Sequence, residues 1–271
     1  MASYLVTGVS RGLGFEFLKQ LSNNSDNTVF GLVRDKAATD KKVKSELGER
    51  ANVHILAADI TNYDAVKKSA DHVAKVTGGK LDYLIANAAY QSEVRASAGI
   101  GDFTDQPELL EKDLLDSFNI NVVGNIHLIN LYLPLILKGT TKKVIAISTG
   151  MADIDFIAKF GVTIGSPYAI SKAAMNAAVA KFSAQYAGQG VLFLNISPGL
   201  VNTRPFDNPT EEQKQGAAIM LARFRDYAPH FTGPITPTES VNHVMSVINK
   251  ASVENGDGGS FVSHFGNKQW L

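Results

Sequence analysis

Tyr168 and Lys172 stand four residues apart near the start of an alanine-rich run that reads as a helix, so both project from one face. A phenol beside an ammonium group is an acid–base pair. The free phenol, with a pKa of about 10, is a poor base at neutral pH, and a nearby cation favours its ionised form. Lowering that pKa by roughly three units takes about 4 kcal/mol of differential electrostatics, which a dry site supplies. Such a pair also arises by chance on many helices, so its meaning depends on what surrounds it.

A second chemical feature lies at the other end of the chain, in Thr7-Gly8-Val9-Ser10-Arg11-Gly12-Leu13-Gly14. Its spacing is G-x-x-x-G-x-G rather than the G-x-G-x-x-G of the general dinucleotide fingerprint, but the physical work is similar. Gly8 permits a tight turn, Gly12 lets backbone approach a pyrophosphate, and Gly14 removes a side chain where helix and strand pack. Ser10 and Leu13 belong to the same cofactor-facing turn. The helix that follows offers unpaired N–H groups and a positive dipole end to an anion. A glycine-rich turn without a ligand is the bland alternative.

About 20 residues further on, the next apolar run ends Leu32-Val33-Arg34, where an NAD site offers an acid to the ribose hydroxyls. Arg34, with Arg11 as a second cation, instead suits a 2′-phosphate through charge-assisted, bidentate hydrogen bonds. Either arginine taken singly is equally an ordinary solvated residue. Together they favour NADP(H) over NAD(H), with Asp35 next door pulling the other way.

The elements that must position these groups follow from the apolar pattern. Short unbroken apolar runs predict strands over 4–7, 28–33, 53–57, 81–86, 143–148, 191–196 and 260–264. Helical stretches predict helices over 13–21, around 40–47, and over 63–76, 109–137, 168–187 and 239–251, the long one bent near Gly124. Residues 90–108 read as a looser stretch, 149–167 as a loop, and 204–237 as a variable segment. Alternating apolar strands and helices mean a parallel sheet covered on both faces. The expectation is α/β: one doubly wound Rossmann domain over 1–271, with a seven-stranded parallel sheet and helices on both faces.

Composition narrows the function classes. With no cysteine among 271 residues, disulfides, thiolate nucleophiles and cysteine metal sites are excluded. Balanced charge, 26 Lys+Arg against 26 Asp+Glu, argues against a nucleic-acid surface. His54, His72, His127, His230, His243 and His264 show no metal-ligand spacing, so no metal is expected. The most apolar long window, 121–138, carries Gly124, Asn125, His127, Asn130 and Pro134, and reads as a buried helix rather than a bilayer span. No basic stretch precedes the first apolar run, so a cytoplasmic location without membrane partners is expected.

Six motifs stand in order along the chain: the glycine turn, Asp59-Ile60, Ala86-Asn87-Ala88-Ala89, Asn121-Val122-Val123-Gly124, Tyr168-Ala169-Ile170-Ser171-Lys172, and Pro198-Gly199-Leu200-Val201-Asn202-Thr203. In this set the sequence resembles the short-chain dehydrogenase/reductase family, and within it the ketoreductases of the norsolorinic acid ketoreductase and sniffer carbonyl reductase type. The resemblance implies roles. Asp59 would bond the adenine amino group with Ile60 beside the ring, and Asn87, with Ala88, would hold the fourth strand and face the cofactor ribose. Tyr168 would be the acid/base, Lys172 its activator together with the positive nicotinamide ring of the oxidised cofactor, and Asn121 the support of a proton relay through water. Pro198, Gly199, Val201 and Thr203 would line the nicotinamide, with Val201 and Thr203 receiving its carboxamide. Bland readings stand beside these: Asp59 as a helix cap, Asn121 as a buried asparagine bonding helix backbone.

A carbonyl substrate needs a second hydrogen-bond donor, commonly a serine after the fifth strand in this family. Here that strand ends Ile147-Ser148-Thr149-Gly150. The family's register favours Thr149, and Ser148 stays open. Two departures stand out. Ala89 replaces a usual glycine. Tyr168 follows Thr149 by 19 positions, where the family commonly has about a dozen, so roughly six residues are extra. With Met151, Ile154, Phe156, Ile157 and Phe160, that insertion either walls a substrate pocket or packs on itself as a surface loop. The segment 202–231, carrying Phe206, Ile219, Met220, Leu221, Phe224 and Tyr227, is expected to fold over the nicotinamide or to form a small helical lid with its own core.

The resemblance implies NADPH-dependent reduction of a ketone or aldehyde, bulky and apolar or aromatic, as in secondary metabolism. The rivals are imine reduction or steering of a cyclisation on the same fold, and a non-catalytic dinucleotide sensor. Alanine-rich 168–187 is suited to close helix packing in a homodimer or homotetramer.

Overall fold

The computed structural model describes residues 1–92, 98–203 and 211–271, with backbone alone at 212 and 213. Its sheet is all parallel, from strands β1 (Ser3–Thr7), β2 (Thr28–Val33), β3 (Val53–Ala57), β4 (Tyr83–Ala86), β5 (Lys143–Ile147), β6 (Leu192–Ser197) and β7 (Phe261–Ser263). Their order is β3-β2-β1-β4-β5-β6-β7. The seven-stranded doubly wound sheet read from the apolar runs is therefore the one observed. The register pairs Leu5 with Phe30 and with Leu84, and Ile147 with Ile196. Chain order reverses between β1 and β4. At such a switch point the crevice outside the strand C-termini receives ligands.

Alternation along each strand divides the core in two. Leu5, Phe30, Leu84, Val144 and Phe193 face one side. There they pack on α3 (Tyr63–Thr77), α5 (Asn125–Ile136) and α7 (Ser166–Tyr186) through Val73, Tyr132 and Val179. Val6, Val29, Ile85, Ile145 and Leu194 face the other side. They meet α1 (Gly12–Leu21), α2 (Lys36–Leu47) and α9 (Pro237–Lys250) through Phe17, Val43 and Val244. Strands buried on both faces read as continuous apolar runs for this reason.

Three elements differ from expectation. First, the stretch expected as one long helix is two, α4 (Pro107–Phe118) and α5, joined by a π-type turn, Asn119–Gly124. The cause is local. A Cβ on Gly124 would lie 2.9 Å from the Ile60 carbonyl oxygen, so the chain passes flush against Ile60 only as glycine. The Asn125 amide then donates to the Ile120 and Asn121 carbonyls that the wider turn leaves over. Second, 149–167 is not a plain loop. It holds a 3₁₀ turn, Gly150–Ala152, and helix α6 (Ile154–Phe160). Asp153 caps α6 by accepting from the Phe156 N–H at 3.0 Å, and Gly161, at φ 61°, ends it. Third, helix α8 (Glu211–Tyr227) occupies half of the variable segment. Phe206 lies outside the described residues.

Helices α2 and α9 begin earlier than their apolar pattern. Asp35 caps α2 through the Ala38 N–H at 2.9 Å. Thr236 and Glu239 form a reciprocal capping box around Pro237.

One buried histidine carries a stability prediction. His264, just after β7, is 4% exposed, and its Nδ1 has no hydrogen-bond partner among the described residues. It stacks on His243 of α9 and on Phe265, with Glu239 one turn back from His243. Burial and then the His243 charge hold its pKa down at about 4. A depressed histidine contributes stability above its unfolded pKa, near 6.5, and loses it as pH falls toward the folded value. The loss is roughly 2 kcal/mol between pH 7 and pH 4, allowing for partial solvent screening. His264→Phe is expected to shrink the fall in Tm between pH 7 and pH 4. An unchanged fall would locate the acid sensitivity elsewhere.

Candidate active site

The glycine turn and the end of β4 meet at the switch point through Thr7. The Thr7 hydroxyl accepts from the Asn87 and Ala88 N–H groups at 3.0 and 2.9 Å. The Asn87 amide donates to the Thr7 carbonyl at 2.9 Å. Asn87 thus clamps the ends of β1 and β4 together. Thr7 was not among the residues singled out; its only sequence signal is a hydroxyl directly before the first glycine. Ala89, the departure from glycine, is exposed.

The turn's glycines are required by contact. Gly8 has φ +74°, and a Cβ there would meet Ala88 Cα at 3.0 Å. A Cβ on Gly14 would fall 2.2 Å from the Gly8 carbonyl oxygen. Gly12, at φ +58°, faces Thr203 across a gap that a Cβ would narrow to 3.3 Å, so the segment after β6 closes over the turn. Arg11 stands in extended conformation at the N-cap of α1 and makes no side-chain cap. The first N–H groups of α1 are therefore left to whatever lies above the turn.

Ser10, Arg11 and Arg34 are exposed, and neither arginine has an ion-pair partner among the described residues. Asp35, which weighed toward NAD, is committed to capping α2. Lys42 adds a third cation that spacing did not reveal, its Nζ 3.3 Å from the Ser10 carbonyl oxygen and 4.3 Å above the Phe15 ring. Asp59 does not cap α3; Asn62 does, accepting from the Ala65 N–H at 3.0 Å. One Asp59 oxygen accepts from the Thr61 N–H and hydroxyl, and its other oxygen has no partner among the described residues. Ile60 is buried against Gly124.

Tyr168 and Lys172 open α7 at the same sheet edge. Lys172 is 3% exposed; its Nζ donates to the Ile147 carbonyl at 2.7 Å and lies 5.8 Å from the centroid of the Tyr168 ring. The Tyr168 hydroxyl has no hydrogen-bond partner among the described residues. Burial pushes the phenol up to about 12 and the ammonium down to about 8. The expected lowering counts on the positive nicotinamide ring of a bound oxidised cofactor as well as on Lys172, and these values belong to the protein without it. Desolvation outweighs the lysine's charge, because the ammonium is turned to the end of β5, so the protein alone keeps Tyr168 as a proton donor at neutral pH.

Asn121 behaves as a clamp. Its Nδ2 donates to the Tyr90 carbonyl at 2.8 Å and to the Ser171 hydroxyl at 2.9 Å, and its Oδ1 accepts from the Tyr90 N–H at 2.7 Å. Ser171 in turn donates to the Tyr168 carbonyl at 2.7 Å. Both amide protons are used, so the side chain ties the start of α7 to the Tyr90 backbone.

The two hydroxyls after β5 separate cleanly. Ser148 is 4% exposed and donates to Asn176 Oδ1 at 2.7 Å. Thr149 is half-buried, and its Oγ1 accepts from the Met151 N–H at 3.3 Å, leaving its own proton free. Beyond β6, the Pro198 carbonyl accepts from the Ser240 hydroxyl at 2.7 Å, and Gly199, at φ +82°, has no room for a Cβ beside His264. Val201 pairs with Ile235. The insertion joins the lid: Phe156 and Phe160 of α6 pack with Phe224 and Tyr227 of α8 and with Trp270. One face of it is thus packed on α8 and Trp270, while Ile154 on the other face is exposed.

Residues 3–214 match the family described as short chain dehydrogenase. Over the full length of both chains the sequence is 56% identical to the short chain dehydrogenase virK of Hypocrea virens. It is 48% identical to the short-chain dehydrogenase/reductase iacC of Pestalotiopsis fici, again over all of both chains. The chain belongs to the short-chain dehydrogenase/reductase family. It is an oxidoreductase of that family. Among solved structures, the NADPH-bound carbonyl reductase from chicken fatty liver matches with a TM-score of 0.77 at 23% identity, covering 98% of each chain. The carbonyl reductase Sniffer of D. melanogaster matches at 0.76 and 24%, with the same coverage. At these identities the two structures speak for the fold. Among the described residues, no group of three or more His, Cys, Asp or Glu side chains could hold a metal ion, and no helix is long and apolar enough to cross a membrane.

Proposed function

We propose that this short-chain dehydrogenase/reductase uses NADPH to reduce a ketone or aldehyde to an alcohol, with Tyr168 as the proton donor. The observation that carries the reading is a juxtaposition at one sheet edge. A phenol beside a buried ammonium shares that edge with a glycine turn that admits no Cβ and leaves its helix N-terminus uncapped. The turn fits a pyrophosphate, and Arg11, Arg34 and Lys42 fit a 2′-phosphate. Asp59's free oxygen suits an adenine amino group, with Ile60 beside the ring. Ser10, Leu13, Asn87 and Ala88 border the same crevice, and Pro198, Gly199, Val201 and Thr203 would line the nicotinamide end. Relatives among solved structures described as bound to NADPH or NADP point the same way.

When bound, the reduced cofactor supplies a hydride. The chain's own residues do the rest. Thr149 donates a hydrogen bond to the carbonyl oxygen, and Tyr168 gives that oxygen its proton. Lys172 holds positive charge beside the phenol as it loses the proton, and Asn121 and Ser171 fix the start of α7 so that Tyr168 stays in place. The aromatic cluster of α6 and α8 suits an apolar or aromatic substrate. A cytoplasmic homodimer or homotetramer completes the reading. Half-exposed Phe118 and Leu115 on α4 and Ile170 on α7, two helices that pack together, support pairing through that face.

The test is NADPH oxidation, followed by absorbance, with a panel of aromatic ketones, aldehydes and quinones, and NADH in parallel. Turnover with preference for NADPH is expected. The double variant Arg11→Ala/Arg34→Asp should lower the NADPH/NADH ratio of kcat/KM by about ten- to a hundredfold, since charge-assisted hydrogen bonds contribute about 1.5–3 kcal/mol each. Tight NADPH binding with no turnover on the whole panel would favour a dinucleotide sensor instead.

A further inference from the structure

The apolar ground beside Thr149 is closed by a residue far along the chain. Trp270, the chain's single tryptophan, is 3% exposed and stacks on Phe261 of β7 with ring centroids 4.4 Å apart. Its side chain takes the space over Gly150, where a Cβ would come within 2.6 Å of the Trp270 Cβ. Gly150 directly follows Thr149, and its N–H donates to the Ser197 hydroxyl at 2.9 Å. The indole therefore packs on the turn that carries the candidate carbonyl donor.

Trp270 is itself held from two directions. Its N–H donates to the Tyr227 hydroxyl at 3.0 Å, and that hydroxyl donates to the Lys268 carbonyl at 2.8 Å. Lys268 Nζ lies 3.6 Å from Asp153, the cap of α6, and 5.1 Å from the indole centroid. The segment 268–270 thus ties α6, α8 and β7 to the Thr149 turn.

Among Trp270, Thr149, Gly199, Leu200, Phe156 and Phe224 there remains a cavity of about 50 Å³. One water takes up about 30 Å³ of liquid, so the enclosed part has room for a methyl or ethyl group, and the rest of the hollow opens outward. The cavity is lined by Thr149, whose hydroxyl would bond the carbonyl oxygen, and by the Gly199-Leu200 step that leads to Val201. We propose that Trp270 is a specificity-determining residue that limits the length of one arm of the carbonyl substrate. A methyl- or ethyl-sized apolar arm enters the cavity, a longer one meets the indole, and the larger arm points away from it. The inference rests on the carbonyl-reductase reading for its substrate, and on packing alone for its size limit.

The experiment holds one arm as phenyl and lengthens the other, with acetophenone, propiophenone and butyrophenone. The unaltered protein should lose about tenfold or more in kcat/KM from the methyl to the propyl arm, as pockets that exclude methylenes do. Trp270→Ala should remove most of that loss, whereas Trp270→Phe keeps the original order. A Trp270→Ala protein that binds NADPH like its parent and retains the parent's arm preference overturns the proposal. A separate readout needs no turnover. With NADP⁺ present, each phenone is titrated against the emission of the single tryptophan. Quenching should be strongest with the methyl arm and weakest with the propyl arm; equal quenching by all three overturns the size limit. Failure to reduce any phenone counts against the carbonyl-reductase reading, and the emission series then judges Trp270 by itself.

Discussion

Tyr168→Phe is expected to lower kcat for carbonyl reduction by roughly 10²–10⁴-fold while leaving NADPH affinity nearly unchanged. The expectation follows from what the substitution removes. The ring remains to pack at the head of α7, and Lys172 keeps its bond to the Ile147 carbonyl. The lost hydroxyl has no partner among the described residues, so no buried group is orphaned and the fold loses little. What disappears is the proton that must reach the substrate oxygen. Single-turnover NADPH oxidation measures the chemical step, and a fluorescence titration measures cofactor affinity. A variant that keeps a tenth or more of the parent rate would remove Tyr168 from the chemistry. A variant that loses cofactor affinity to the same degree as rate would make it a binding residue instead.

The scaffold for this chemistry was legible because its signals are local. Apolar strands such as Val144–Ile147 and Leu192–Leu194 announce a sheet buried on both faces, and Gly8, Gly12 and Gly14 announce a turn that backbone contacts require. What stayed hidden depends on residues distant in sequence. A bend near Gly124 could be anticipated, but its π-type form comes from the Ile60 carbonyl, 64 residues earlier. Helix α6 is seven residues long, too short for a 3.6-residue period to declare itself, and only Asp153 and Gly161 mark its ends. Spacing put Lys172 on the face of Tyr168, yet could not say that the ammonium turns to the Ile147 carbonyl. Thr7, Lys42 and Trp270 carry no motif, and their importance comes from what the fold brings against them.

Thr149→Ala is expected to cost roughly 10²–10³-fold in kcat, the usual loss on removing one donor to a developing oxyanion, and Thr149→Ser to restore most of it. Ser148→Ala should behave in the opposite way. The family's register favours Thr149 and leaves Ser148 open; their partners separate the two hydroxyls. The Ser148 proton is engaged by Asn176 Oδ1 in a buried setting, whereas Thr149 accepts from Met151 and has its proton to give. Removing the Ser148 hydroxyl leaves a buried amide oxygen unpaired, which costs about 1–3 kcal/mol of stability and should appear as a lower Tm with kcat largely kept. Parallel measurement of kcat and Tm on the three variants decides the assignment. If Ser148→Ala abolishes turnover at an unchanged Tm while Thr149→Ala stays active, the donor is Ser148. Asn176 would then have to release it when substrate enters, which makes Asn176→Ala the variant that distinguishes a released serine from one that never moves.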